Sequence, residues 1–436
     1  MRSVQDPPER AQLIAVATDA LRWVADAAVP TSDGATWPVT RAPAAPRTDD
    51  LYAGTAGVLV GFAEARLAGI ADFDDHARAA VAQLQIQAAA DLDRIDDSDP
   101  GLYTGLAGML AGLDIWGQAS GDFAAREAAR GLTLRLARIA AAGPVSPWRD
   151  IIAGDAGILL VLVALGGPGA EPGVSATADR LIAATEWIDG LPDWYARADY
   201  PVFLPNFSHG AAGVGCALAA AAAFLDRPEL LEVAELAAHR LIKLGKRTDG
   251  TLAVPHSIPL ADPQAPVSYG WCHGPTGTLR LFEILDSERP GQGWADWADA
   301  CRLAVRRSGL PERKYPGFWD NIGQCCGTAG VAEMVLDYYQ ASSEREWLSW
   351  AVEDLTEDIL DRRTTDESGV RWSHTEHRRP QPLLEPGVGW MQGAAGIAGW
   401  LLRLARVEQD GTKAVRLRWP DQPGLQLGAW NDINET

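Results

Sequence analysis

Apolar residues recur along the chain in two alternating styles. Stretches such as RAQLIAVATDALRWVADAA, REAARGLTLRLARIAA, PELLEVAELAAHRLIKLG and EREWLSWAVEDLTEDILDRR place them three and four residues apart, with charge between. That spacing predicts helices with one buried face. Runs such as GVLVGFAEARLAG, GMLAGLDIWGQA, GILLVLVALGG, GVGCALAAAAAFLD and GIAGWLLRLARV are apolar on nearly every side. They predict helices buried all round. The fully apolar runs need a jacket, and the amphipathic helices can supply it.

A short motif marks where each buried helix begins. Gly-x-x-Gly occurs as GTAG at 54–57, GLAG at 105–108, GDAG at 154–157, GAAG at 210–213, GPTG at 274–277, GTAG at 327–330 and GAAG at 393–396. The steps between first glycines are 51, 49, 56, 64, 53 and 66 residues, a near-regular period that indicates a repeat architecture. The predicted fold is all-α: a double-layered α/α toroid of seven inner and seven outer helices. Its glycine loops sit at the inner-helix N-termini, gathered at one rim. Glycine suits converging backbones and turns that need positive φ. The first and last repeats resemble the middle ones, which favours closure over an open solenoid. One domain is expected over 1–436, with the core at about 9–407 and a polar tail at 408–436. Two inserts rich in Pro and Gly, 247–271 and 363–391, lead into the fifth and seventh loops and are expected to lie over the same rim.

Composition narrows the partners. The net charge is −20 over 436 residues, which argues against nucleic acid or an anionic membrane surface. No run of about 18 uninterrupted apolar residues predicts a transmembrane segment. The N-terminus carries acidic residues and prolines before any apolar run, unlike a signal peptide. Five cysteines in so long a chain do not form a secreted disulfide framework, so a cytoplasmic setting is expected.

Three of those cysteines fall beside glycine loops, in GWCHGPTGT (270–278) and GQCCGTAGV (323–331). If the toroid closes, Cys272, Cys325 and Cys326 converge from neighbouring loops. Three thiolates with one position left open describe a catalytic zinc site; a vicinal disulfide or unrelated thiols are the alternatives. Cys216 and Cys301 lie within helical runs and read as core. His209, in NFSHGAAG, and Asp150, in WRDIIAGDAG, face the same rim. A histidine there could exchange protons near neutral pH. His273 is a competitor for that role, His374 and His377 read as loop residues, and Asp155 reads as a helix-start carboxylate.

Seven Gly-x-x-Gly helices with WCHG, CCG and SHG on their loops resemble the LanC-like family of lanthionine synthetase cyclases, over roughly residues 9 to 407. The resemblance implies a toroid with a central zinc ion. It also implies a cyclase that adds cysteine thiols of a ribosomal precursor peptide to dehydroalanine or dehydrobutyrine, forming lanthionine and methyllanthionine thioether rings. It assigns Cys272, Cys325 and Cys326 as zinc ligands, His209 as the acid/base and Asp150 as its conserved aspartate. The sequence departs from the family at Cys326, where many members have histidine, and at Ser268, where some have arginine. The implied partner is a dehydrated precursor peptide, with a separate dehydratase and an exporter as further candidates. With no room for a dehydratase domain, the substrate is expected to arrive already dehydrated. Addition of glutathione to dehydroamino acids, and a non-catalytic peptide-binding scaffold, are the rival functions. An α/α-barrel glycosidase usually has six helix pairs and needs paired rim carboxylates, so seven pairs with a thiol cluster point elsewhere.

Overall fold

The computed structural model describes residues 9–261, 266–315, 317–376 and 380–424. Among these the inner helices are α2 (Thr55–Leu67), α4 (Leu106–Ser120), α6 (Asp155–Gly166), α8 (Ala211–Leu225), α10 (Pro275–Glu288), α12 (Thr328–Ser342) and α15 (Ala394–Asp410). The outer layer is α1 (Arg10–Ala25), α3 (Asp74–Asp93), α5 (Phe123–Ala142), α7 (Glu171–Ala183), α9 (Pro228–Leu244), α11 (Trp294–Arg307) and the pair α13 (Arg345–Trp350) and α14 (Thr356–Asp361). A π-helical turn over Ala351–Leu355 joins that last pair. Inner helices pack in chain order, and α15 returns to α2, which closes the toroid. Small residues allow this seam: a Cβ on Gly61 of α2 would lie 3.0 Å from the Ala395 Cβ of α15.

The run Asp155–Ala183 is long and apolar enough, by length and composition, to cross a membrane. It is not one rod. A 3₁₀ turn at Gly167–Ala170 breaks it, and α6 and α7 pack against each other as the inner and outer helices of one repeat.

Each inner helix has the first glycine of its motif as N-cap: Gly54, Gly105, Gly154, Gly210, Gly274, Gly327 and Gly393. None of these glycines, nor the second of each motif, has positive φ. They are small because space is short, not because the backbone turns left-handed, which corrects one of the two sequence-based reasons for them.

The seven loops are tied into a circle by main-chain hydrogen bonds. Tyr52 N–H donates to Tyr103 O (2.9 Å), Tyr103 to Ile152 (2.8 Å), Ile151 to Ser208 (3.1 Å) and Ser208 to Cys272 (3.0 Å). Cys272 then donates to Cys325 (3.2 Å), Cys325 to Met391 (2.9 Å) and Met391 back to Tyr52 (2.9 Å). In every loop the residue two before the first glycine takes part. The circle pairs polar groups that would otherwise be orphaned where seven helices begin.

Charge occupies the interior of the barrel, a feature the apolar runs do not announce. Glu64, Asp337, Arg403 and Arg406 are buried on inner helices and paired: Arg406 with Glu64, and Arg403 with Glu333 and, at 2.6 Å, Asp337. The chain after α15 folds back to complete this network. Arg416 reaches Asp337 at 2.9 Å, and Trp419 lies 5.3 Å from Trp390, ring centre to ring centre. Asp421 is 1% exposed, accepts from the Tyr103 hydroxyl at 2.8 Å, and pairs with Arg280. A cavity of about 50 Å³ is left between this segment and the loops, lined by Tyr103, Trp271, Arg280, Glu333 and Asp337 among others.

The inserts form hairpins that pack on outer helices, 246–253 on α11 and 363–372 on α1. A third, 186–193 on α9, was not anticipated, although its Asp189-Gly190 turn, both residues with positive φ, is a hairpin signal.

Asp421→Ala removes the partner of the buried Arg280 and is expected to destabilise the fold by roughly 3–5 kcal/mol. Urea unfolding followed by tryptophan fluorescence measures it; a loss under about 1 kcal/mol would show that the segment after α15 is not a brace.

Candidate metal centre and its proton-transfer pair

The hydrogen-bonded circle fixes where side chains go. Two residues before the first glycine stand Tyr52, Tyr103, Ile152, Ser208, Cys272, Cys325 and Met391; one before it stand Ala53, Thr104, Ala153, His209, His273, Cys326 and Gln392. The three cysteines come from these two columns on adjacent loops, and the main chain ties the loops together through Cys272 N–H and Cys325 O. Gly270 permits the approach: a Cβ there would lie 2.9 Å from the Cys326 Cα.

The sulfurs of Cys272, Cys325 and Cys326 all lie within 4.8 Å of one another. Cys326 Sγ is 3.1 Å from Cys272 Sγ and 3.3 Å from Cys325 Sγ, and no disulfide forms. Tetrahedral zinc with Zn–S bonds of about 2.3 Å needs sulfurs about 3.8 Å apart, so the set fits with shifts of a few tenths of an ångström. Cys272 and Cys325 are 5% and 4% exposed, whereas Cys326 is half-buried, so the cluster opens to solvent on the Cys326 side.

Electrostatics within the cluster favour a cation. Hydrogen bonds from Cys272 and Cys326, opposed by burial and aided by the Tyr52 hydroxyl, hold the Cys325 thiol well below its usual range. The hydrogen bonds to Cys325 and Cys326, with burial, hold Cys272 well above it. One negative sulfur suppresses ionisation of its neighbours, and all three can be thiolates only with a positive ion among them.

His209 stands on the fourth loop, one residue before Gly210. Its Nδ1–H donates to Asp150 Oδ2 at 2.6 Å. Asp150 is 1% exposed, and its Oδ1 accepts from Ala153 N–H at 2.8 Å. The carboxylate therefore clamps its own loop and orients the imidazole, leaving Nε2 as the nitrogen free to exchange a proton. Asp50 makes the same clamp on the first loop, to Ala53 N–H at 2.7 Å.

The histidine next to Cys272 is close by: the His273 ring lies 5.4 Å from His209 and stacks on His256 at 3.9 Å. Asp155 faces away and pairs with Arg180 at 3.2 Å. Cys216 and Cys301 are fully buried in the helices, and burial pushes both thiols up.

Two site neighbours escaped the sequence reading. His374 is 3% exposed, donates from Nε2 to Gln392 O, and interacts electrostatically with Cys326; burial pushes its pKa down. It lies in a loop, as expected, but is buried against the cluster rather than exposed. His377 lies outside the described residues. Tyr52 stands close enough to the cluster that desolvation, then the nearby sulfur charge, holds its phenol well above its usual range. Aligning the seven motifs would have found Tyr52, because it shares a column with Cys272 and Cys325.

The sequence model of the lanthionine synthetase C-like proteins matches residues 45–416. No curated protein matches the chain by sequence. Among solved structures, nisin cyclase is similar at a TM-score of 0.63 and 17% identity, over 86% of this chain and 92% of that one. D-mannose isomerase matches at a TM-score of 0.45 and 13% identity, over 92% and 100%. A GH76 α-mannanase from Bacteroides thetaiotaomicron matches at 0.48 and 10%, over 91% and 96%. The likeness to nisin cyclase carries the toroidal fold; the other two are too distant to carry an argument. With its helical toroid and seven glycine-capped inner helices, the chain belongs to the lanthionine synthetase C-like family.

Proposed function

We propose that this protein is a zinc-dependent lanthipeptide cyclase. It adds cysteine thiols of a dehydrated precursor peptide to dehydroalanine or dehydrobutyrine, giving thioether rings. The observation that carries this reading is the meeting of three sulfurs within 4.8 Å, on loops adjoining the His209–Asp150 pair. Family membership and the fold shared with nisin cyclase support it.

Cys272, Cys325 and Cys326 would hold the zinc. Zinc there would supply an open position at which an incoming thiol, ordinarily only a few percent ionised at neutral pH, loses its proton and becomes a nucleophile. The solvent-facing side of Cys326 is where the peptide would enter. The sulfur forms a bond to the alkene β-carbon, and the π electrons move to the adjacent carbonyl as an enolate. His209 then delivers a proton from Nε2 to the α-carbon, while Asp150 holds Nδ1–H and stabilises the charged imidazole. The thiol's proton passes to water, and His209 regains one from water. The positive dipole ends of the inner helices, gathered at the same loops, would favour the growing enolate charge. The sum is an addition, so the peptide mass does not change.

Glutathione addition uses the same chemistry with an external thiol, and the products separate the two. Incubated with a dehydrated, cysteine-containing peptide, the protein is expected to remove thiols from reach of an alkylating reagent at constant peptide mass. A gain of one glutathione per alkene would transfer the assignment to that rival; unchanged thiol reactivity would favour a scaffold.

Purified protein is expected to carry about one zinc, lost in Cys272→Ala. His209→Asn is expected to keep the zinc and slow ring closure by roughly 10²–10⁴-fold, the usual worth of a general acid. Metal analysis and single-turnover mass spectrometry measure the pair of effects; loss of zinc in His209→Asn would overturn the assigned role.

A further inference from the structure

We propose that Cys272 and Cys326 form a reversible disulfide when the site holds no metal, so that oxidation and zinc compete for the same sulfurs. The pairing stands on the sulfur geometry; the competition rests on the reading above that a metal is held by Cys272, Cys325 and Cys326.

Exposure, distance and backbone geometry select this pair. Cys326 is half-buried, whereas Cys272 and Cys325 are 5% and 4% exposed, so a small oxidant meets Cys326 first. Two sulfurs stand within reach of it: Cys272 Sγ at 3.1 Å and Cys325 Sγ at 3.3 Å. Cys325 is its neighbour in sequence, and consecutive Cα atoms lie about 3.8 Å apart, closer than the roughly 4.4 Å that an unstrained disulfide needs. Cys272 comes from the fifth loop, whose backbone already lies against the sixth. Its N–H donates to Cys325 O at 3.2 Å, and a Cβ on Gly270 would lie 2.9 Å from the Cys326 Cα. The 3.1 Å between the two sulfurs falls between the separation in a disulfide, about 2.05 Å, and that of two sulfurs on one zinc, about 3.8 Å. Small movements of the same side chains therefore reach either state. Cysteine at position 326 creates this choice; with histidine there, only the two almost wholly buried thiols would remain.

The oxidant can be a small disulfide such as oxidised glutathione. The Cys326 sulfur attacks one sulfur of that molecule, its S–S bond breaks, and one glutathione leaves, taking up the proton that Cys326 gives up. The Cys272 sulfur then attacks the Cys326 sulfur in the mixed disulfide. A bond forms between the two cysteines, and the second glutathione leaves with the proton from Cys272. Two protein thiols are oxidised and one glutathione disulfide is reduced to two thiols. The link consumes two of the three sulfurs that would hold zinc. A sulfur bound to zinc is in turn withheld from attack, so metal protects the site and its loss exposes it. A half-exposed thiol beside a resolving one is the usual arrangement of a redox-responsive cysteine pair.

The test adds oxidised glutathione to the purified full-length protein at free zinc concentrations set by a chelator buffer. At low free zinc the chain is expected to lose two hydrogen atoms in mass and to fall from five alkylatable thiols, counted after denaturation, to three. Dithiothreitol is expected to restore all five. Digestion without reduction, with fragmentation of the linked peptides, is expected to join Cys272 to Cys326. Cys325→Ser is expected to keep the link and Cys326→Ser to lose it, with circular dichroism verifying that both variants fold; the fragmentation of the parent assigns the pair even if they do not. Saturating zinc is expected to slow formation roughly tenfold or more. A bond from Cys325 to either other cysteine, a persistent glutathione adduct, or five unchanged thiols at low zinc would overturn the proposed pair. A link that forms equally fast at every zinc concentration would instead overturn the metal centre and the competition, with the pair itself still read from the low-zinc sample.

Discussion

Seven main-chain hydrogen bonds, each from one glycine loop to the next, are the constraint on which the architecture depends. Loops packed into a ring would leave seven sets of main-chain polar groups converging without partners just before the helices begin. Passing one bond from loop to loop satisfies a donor and an acceptor at each step, and the bond from Met391 to Tyr52 closes the series. The bonds run from loop to loop, so they fix the loops relative to one another. Glycine follows from this: at Gly270 the backbones of neighbouring loops are too close for a side chain. Regular register follows as well, because a loop shifted by one residue would break two bonds of the circle.

Electrostatics divide the molecule into two levels. Behind the loops, fixed charges are matched in place: Arg280 with Asp421, Arg403 with Glu333 and Asp337, Arg406 with Glu64. Such pairs contribute little net stability, yet leaving one member unpaired is costly, so each holds its partner's helix in position. At the loops the balance is left open. Three sulfurs crowd together with one of them inclined to ionise, and no arginine or lysine pairs with them among the described residues. A site that lacks a fixed cation is suited to take a mobile one. The segment after α15 links the levels. Asp421 holds Arg280, and the Arg280 guanidinium lies 5.1 Å from the Phe207 ring and 5.9 Å from Trp271, the residues next to Ser208 and Cys272.

Much of this was legible in the sequence, for a physical reason. A repeat that closes on itself must bury one helix of each pair completely, and total burial writes an apolar run no single helix face can hide. The Gly-x-x-Gly spacing marked where those helices start, and WCHG and CCG marked two loops as chemically unlike the others. What stayed hidden depends on contacts between distant parts of the chain. Asp421 meets Tyr103 across 318 positions, and a polar stretch near the end of the chain gives no sign of folding into a barrel. His374 looked like part of a Pro-rich insert, because burial is decided by what covers a residue and not by its neighbours in sequence. Glycine at the loops was expected for conformational freedom as well as space; negative φ throughout leaves space as the reason.

The shared register of the loops also makes the scaffold and the chemistry separable. Backbone atoms maintain the circle, and two side chains in its columns add to it: Ser208 Oγ donates to Cys272 O at 2.9 Å and Thr104 Oγ1 to Ile152 O at 3.4 Å. The present occupants range from alanine and isoleucine to tyrosine, histidine and cysteine, on one unchanging frame. Elsewhere in the columns, a single substitution changes what is delivered to the ring of loops while leaving its main-chain bonds in place. A fold of this kind can acquire, exchange or lose a reactive group one codon at a time, and descendants with quite different chemistries can keep the same skeleton.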